Sequence, residues 1–253
     1  MPRLLSLFAA LAGLFLSAAL AAQTPPPTPF APPPLTPDNS WILDLSTGGR
    51  VVIQLRPDVA PAHVERIKAL TRQGFYNGLT FFRVIEGFMA QGGDPQNSGM
   101  GGSSLPNLTA EINGLPHVRG ALGMARAQDM NSGNSQFYIM FVPRLQMDRQ
   151  YTIFGRVVSG MNFVDAIERG EPPPAPSRIV RASLGADNVP PMTADELRAA
   201  AAQMAAAQPA PAARLPGPVG PAEPPPAAGP RALEPVRAAN APPRPRRPTR
   251  PPN

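Results

Sequence analysis

The rhythm of apolar and polar positions changes several times along this chain. WILDL at 41–45 and VVIQL at 51–55 both have β character, and STGG between them supplies turn residues, so residues 41–55 predict a hairpin. From Pro61 the spacing becomes helical. Val64, Ile67, Ala69 and Leu70 recur on one side, Pro61 suits a first-turn position and Gly74 a stop. Short apolar runs follow: LTFFRVI and GFMAQGG, punctuated by glycine, then GALGMA (120–125), SQFYIMFV (135–142), YTIFGRVV (151–158) and SRIVRASL, which ends near Gly185. Residues 161–169 read as a second helix with Phe163, Val164 and Ile167 on one face. Seven or eight strands and two helices predict a mainly β fold, a closed antiparallel barrel capped by helices. A parallel α/β sheet is disfavoured because helices do not alternate with strands.

This pattern stops abruptly at both ends. Of 37 prolines, eight lie between Pro25 and Pro37 and eighteen between Pro190 and Pro252, and no aromatic residue follows Phe163. Such flanks cannot bury an ordinary core. Residues 1–22 combine Arg3, an apolar run and small residues before Ala21 and Ala22, which predicts a cleaved secretory signal peptide, with an uncleaved membrane anchor as the alternative. Residues 23–39 read as a Pro-rich linker of the extended kind and 40–187 as the folded domain. Residues 188–253 read as a largely disordered Pro/Ala/Arg-rich tail with a short helix at 193–208, where Thr193 and Glu196 have capping-box spacing. The absence of cysteine excludes disulfides and cysteine lipidation. An exported protein, periplasmic in a two-membrane bacterium, is the expectation.

Charge follows the same partition. Residues 40–187 carry net +2 and residues 188–253 net +4, so the basicity is mostly tail. No aromatics are interleaved with the tail arginines, and specific nucleic-acid binding is not expected. A contact between the tail and an anionic envelope surface, or a protein partner, stays open beside a plain solvated extension.

The usual catalytic inventories fail here. There is no cysteine nucleophile, and two histidines without carboxylates at ligand spacing make no metal cluster, so neither metal nor cofactor is expected. His63 reads as a surface residue and His117 as a loop residue. Asp94 and Glu111 read as structural or rim positions, and Trp41 as strand packing. The glycine-rich loop NSGMGGSS (97–104) lacks the Lys and following helix of a phosphate loop. One segment is unusual: FFRVIEGFMAQGGD (81–94) places a guanidinium and a carboxamide among Phe82, Phe88 and Met89. Gln91 and Gln136 both sit in apolar strands, where an amide costs energy unless it is hydrogen-bonded.

FFRVIEGFMAQGGD, then GALGMARA with NSQFYI, then FGRVVSGMNFVDAI, resemble the three signature blocks of the cyclophilin-type peptidyl-prolyl isomerases, in order and spacing, over about residues 41–187. The resemblance implies an eight-stranded barrel closed by two helices, a proline-binding groove on its outer face, and a monomer acting on proline-containing polypeptides. It carries the catalytic arginine to Arg83 and the amide that steadies it to Gln91. Phe88 and Met89 fall on the pocket floor, Gln136 on a second groove amide, and Ala125 and Arg126 on positions whose backbone binds substrate. Tyr138 stands where phenylalanine is usual and Met147 where leucine is common. Gln146 replaces a tryptophan tied to cyclosporin binding and Tyr151 replaces a histidine, which implies weak sensitivity to that drug. Both are left open between groove lining and plain surface. A binding module with incidental turnover is the alternative to an enzyme, and the Arg83–Gln91 pair speaks for the enzyme.

Overall fold

A computed structural model describes residues 32–207; the predicted signal peptide, most of the linker and the tail beyond 207 lie outside the described residues. Eight strands form one antiparallel sheet: β1 (Ser40–Leu45), β2 (Gly49–Leu55), β3 (Arg83–Ile85), β4 (Met89–Gly92), β5 (Ala121–Met124), β6 (Phe137–Met140), β7 (Ile153–Ser159) and β8 (Ile179–Leu184). Their spatial order is β3-β4-β6-β5-β7-β2-β1-β8. The hairpin pairs Trp41 with Ile53 and Leu45 with Gly49. Helix α1 (Pro61–Arg72) buries Val64, Ile67 and Leu70, the spacing that predicts it.

Two expectations need correction. The sheet curls but is not a closed barrel, because β3 and β8 share no ladder. The segments around them are joined locally, by Gly78 N–H to Ile179 O at 2.7 Å, Ile179 N–H to Leu79 O at 2.9 Å, Phe81 N–H to Ser177 O at 3.0 Å and isolated pairings of Thr80 with Arg178 and of Val84 with Gly170. Pro172, Pro173, Pro174 and Pro176 precede β8 and have no N–H to donate, which prevents a continuous ladder there. Helix α2 also stops early, at Met161–Asp165 instead of 169. Glu168 N–H donates to Ser177 Oγ at 3.0 Å, so the backbone there leaves the helical ladder.

Ahead of Trp41, Thr36 and Asn39 cap one another reciprocally around a short 3-10 turn at Pro37–Asn39. At the other end, Asp44 is buried between Arg50 and Arg181, at 2.7 and 2.6 Å. These arginines also donate to the carbonyls of Val189 and Pro190. A third helix, α3 (Ala194–Ala207), starts at Thr193, whose Oγ1 accepts Glu196 N–H at 3.3 Å. It buries Leu197 completely and touches β8.

Alternation along β4, β5 and β6 decides where a site can sit. Successive side chains in a strand point to opposite faces. Ala90, Leu122, Phe137, Ile139 and Phe141 point into the main core with Trp41, which is fully buried and edge-on to Tyr76 and Phe137. The alternate positions, Met89, Ala121, Tyr138 and Met140, form a second, smaller apolar cluster. The continuous apolar runs in the sequence therefore reflect strands covered on both faces.

Candidate active site

Strand register lines the outer face into a row. Arg83 on β3 faces Gln91 on β4, Gln91 faces Tyr138 on β6, and Tyr138 faces Gly123 on β5. Side chains extend the pairing. Arg83 Nη1 donates to Gln91 Oε1 at 3.3 Å, and Gln91 Nε2 donates to Gln136 Oε1 at 2.9 Å. Gln136 Nε2 in turn donates to the carbonyls of Gly99 and Gly101, at 3.1 and 2.8 Å. Both amides are buried and bonded, as their apolar setting demands. Arg83 keeps a side-chain exposure of 15%, so its cation stands at the edge of the apolar cluster.

Phe88, Met89, Ala125, Tyr138 and Met147 come together in that cluster, with Tyr151 partly buried against it. Arg144 holds the turn below by donating to Gly87 O at 2.6 Å. Gln146, Ala125 and Arg126 have surroundings of different kinds. Gln146 is exposed and outside the cluster, on a short 3-10 turn that buries Met147 instead. Ala125 N–H is donated to Gln136 O at 3.0 Å, which leaves its carbonyl facing away from that bond as the other half of the peptide edge. Arg126 lays its guanidinium 4.6 Å from the centre of the Tyr151 ring and donates to the carbonyls of Ala127, Gln128 and Gln150.

Beneath the pocket lies a network the sequence reading missed. His117 is fully buried, stacked on Tyr138, with Nε2 2.9 Å from the Tyr138 hydroxyl and Nδ1 2.9 Å from Asp148 Oδ1. The same Oδ1 accepts His117 N–H at 2.8 Å, which puts the ring proton on Nδ1 and leaves Nε2 to accept the tyrosine proton. Burial lowers the His117 pKa against the opposing pull of Asp148, and burial raises that of Tyr138 well above its ordinary value. Both therefore stay neutral near neutral pH. Gly123 belongs to this set: a Cβ there would overlap the Tyr138 ring and hydroxyl.

His63 also departs from expectation. It is buried, not on the surface, stacked on Phe154, with Nδ1 2.6 Å from Glu111 Oε2. Glu111 accepts Ala62 N–H and His63 N–H as well, each at 3.0 Å, and so caps α1 from a distant loop. Asp94 organises the glycine-rich loop through the N–H groups of Gln96, Gly99 and Gly101. That loop, with Ala125, Ala127, Asn134 and Gln136, lines a cavity of about 350 Å³ opening beside the row. Among the described residues no group of three or more histidines, cysteines or carboxylates could hold a metal ion.

The arrangement offers an oriented cation, buried amides and an apolar floor. Comparison with known proteins is consistent with this. Residues 42–184 match the family model described as cyclophilin type peptidyl-prolyl cis-trans isomerase/CLD. A probable peptidyl-prolyl cis-trans isomerase of Brucella suis is 47% identical over 167 residues, covering 60% of this chain and 85% of the relative. Peptidyl-prolyl cis-trans isomerase B of Bacillus subtilis is 40% identical over 129 residues, covering 50% of this chain and 89% of the relative. Among solved structures, cyclophilin AquaCyp293 from Hirschia baltica superposes with a TM-score of 0.57 at 30% identity, covering 62% of this chain and 77% of that one. A cyclophilin type isomerase of Cryptosporidium parvum, solved in the presence of the dipeptide Ala-Pro, gives 0.54 at 27% identity, covering 57% and 98%. With family model, relatives and fold in agreement, this chain belongs to the cyclophilin-type peptidyl-prolyl cis-trans isomerases and is an isomerase.

Proposed function

We propose that this isomerase accelerates rotation about bonds preceding proline in exported polypeptides, assisting their folding in the periplasm, with Arg83 as the catalytic residue. The peptide bond resists rotation by about 18–20 kcal/mol because the nitrogen lone pair is conjugated with the carbonyl. At the twisted geometry conjugation is lost and the lone pair localises on the prolyl nitrogen. A guanidinium beside that nitrogen is favoured most in the twisted state, so it lowers the barrier and does not merely tighten binding. No proton need be transferred to another group. Lowering the barrier by about 7 kcal/mol corresponds to about 10⁵-fold acceleration.

The observation that carries this reading is the row Arg83–Gln91–Tyr138 along the outer face, with the apolar cluster beneath it. Phe88, Met89, Tyr138 and Met147 offer an apolar seat for a pyrrolidine ring, and Gln91 steadies the arginine. The adjoining cavity, with the Ala125 carbonyl at its margin, suits the residues before the proline. Export rests on residues 1–22.

A protease-coupled assay with a short Ala-Pro peptide tests the mechanism. Arg83→Ala is expected to lower kcat/KM by about 10²–10³-fold, the size of effect seen when one preorganised transition-state donor is removed. Wild-type turnover by the variant contradicts it.

A further inference from the structure

Building on the role of Arg83 argued above, we infer that Glu171 is a positioning residue for the reaction, holding the arginine's fork at the angle the twisted bond requires. Glu171 comes from the segment between α2 and β8, 88 residues away in sequence. Val84 N–H donates to Gly170 O at 2.8 Å and Gly170 N–H donates to Val84 O at 2.9 Å, which fixes this segment beside β3 in antiparallel register. The next position along that pairing sets Glu171 against Arg83. Gly170 is required for the approach, since its φ is +142° and a Cβ would press on the backbone of Pro172 and Pro173.

The contact is made at the inner nitrogen of the fork. Arg83 Nε donates to Glu171 Oε2 at 2.8 Å, whereas Nη1 reaches Gln91 Oε1 only at 3.3 Å. Both bonds draw on the guanidinium charge, but the shorter one goes to an anion and the longer one to a neutral amide, so the carboxylate does more to set the guanidinium plane. Gripping Nε fixes rotation about the last side-chain bonds while the terminal nitrogens remain directed along the row. The other nearby ions have partners of their own: Arg169 Nε donates to Glu86 Oε2 at 2.7 Å, on the turn between β3 and β4. Glu171 thereby extends the row to Glu171–Arg83–Gln91–Gln136, a continuous hydrogen-bonded chain from the Pro-rich segment to the glycine-rich loop.

The test measures kcat and KM separately for the full chain and for Glu171→Ala, Glu171→Gln, Arg83→Ala and the double Arg83→Ala/Glu171→Ala variant. A misplaced fork loses transition-state contact without losing the apolar seat, so Glu171→Ala is expected to lower kcat about ten-fold with KM within about two-fold. Glu171→Gln, whose amide oxygen can still accept from Nε, is expected to recover most of that loss. In the Arg83→Ala background, removing Glu171 is expected to cost nothing further, because the carboxylate acts only through the arginine. Thermal midpoints within a few degrees of wild type would exclude a folding defect as the cause. Wild-type kcat in Glu171→Ala, or an equal further loss in the double variant, overturns the inference while leaving Arg83 in place. Wild-type turnover by Arg83→Ala overturns the arginine reading and this one with it.

Discussion

Tyr138 shows how one side chain can belong both to the smaller apolar cluster and to the network under it. Its ring forms part of the apolar seat, while its hydroxyl donates to His117, which in turn donates to Asp148. Tyr138→Phe keeps the ring and leaves Nε2 of a buried imidazole without a partner. The expected result is a loss of about 1–3 kcal/mol of stability in urea unfolding, with isomerisation retained within several-fold. A variant as stable as wild type would mean that the hydroxyl contributes nothing. Arg83, Gln91 and Tyr138 were singled out through the resemblance of three sequence blocks to a family, and the strand register sets them side by side. His117 was not, since its partners lie 21 and 31 residues away and nothing local marks a loop histidine as buried. Glu171 escaped for the same reason: a carboxylate beside a proline run looks solvated until the chain folds back against β3.

At the scale of elements, α1 illustrates a helix completed from outside. Ala60 provides no side-chain cap, and Pro61 removes one of the N–H groups that would need one. Glu111 supplies the acceptor. Burial tends to raise its pKa, but hydrogen bonds from the His63 ring and from Ala62 and His63 N–H outweigh this and leave it lowered. Glu111→Ala is expected to cost about 1–2 kcal/mol in denaturant unfolding. The two buried histidines add a pH dependence. Burial lowers the pKa of His63 and of His117 below the ordinary 6.5, against the opposing effects of Glu111 and Asp148. The unfolded chain then binds more protons than the native one as pH falls, so their contribution is complete above about pH 6.5 and is lost as pH drops through the lowered native values. Glu111 adds to this below its ordinary 4.5. A series of thermal midpoints is expected to decline from pH 7.5 to pH 5; a flat series contradicts the assignment. The hairpin, α1 and most strands follow from periodicity alone. The early end of α2 does not, because it depends on a hydroxyl at Ser177 that meets Glu168 only in the folded chain.

At the scale of the molecule, over the described residues, the curled sheet separates two apolar clusters on opposite faces, and the smaller one carries the proposed site. Sequence spacing anticipated seven or eight strands but not the missing ladder between β3 and β8, which depends on where the prolines before β8 fall. The change from fold to tail was visible in composition, yet composition does not show that Arg50 and Arg181 hold the carbonyls of Val189 and Pro190, or that Leu197 packs on the sheet. Leu197→Ala is expected to cost about 2 kcal/mol, at the low end for a buried leucine because α3 has one fully buried anchor, with peptide isomerisation unchanged. No measurable loss would mean that α3 does not contribute to the folded state. The central claim is that an oriented guanidinium on the outer face of the sheet lowers the barrier to rotation. Its most direct test is exchange NMR on a bound Ala-Pro peptide, which separates affinity from the on-enzyme cis–trans rate. For Arg83→Ala the account predicts a Kd close to wild type with interconversion slowed at least about 10²-fold; a variant that binds as well and interconverts as fast as wild type would contradict it.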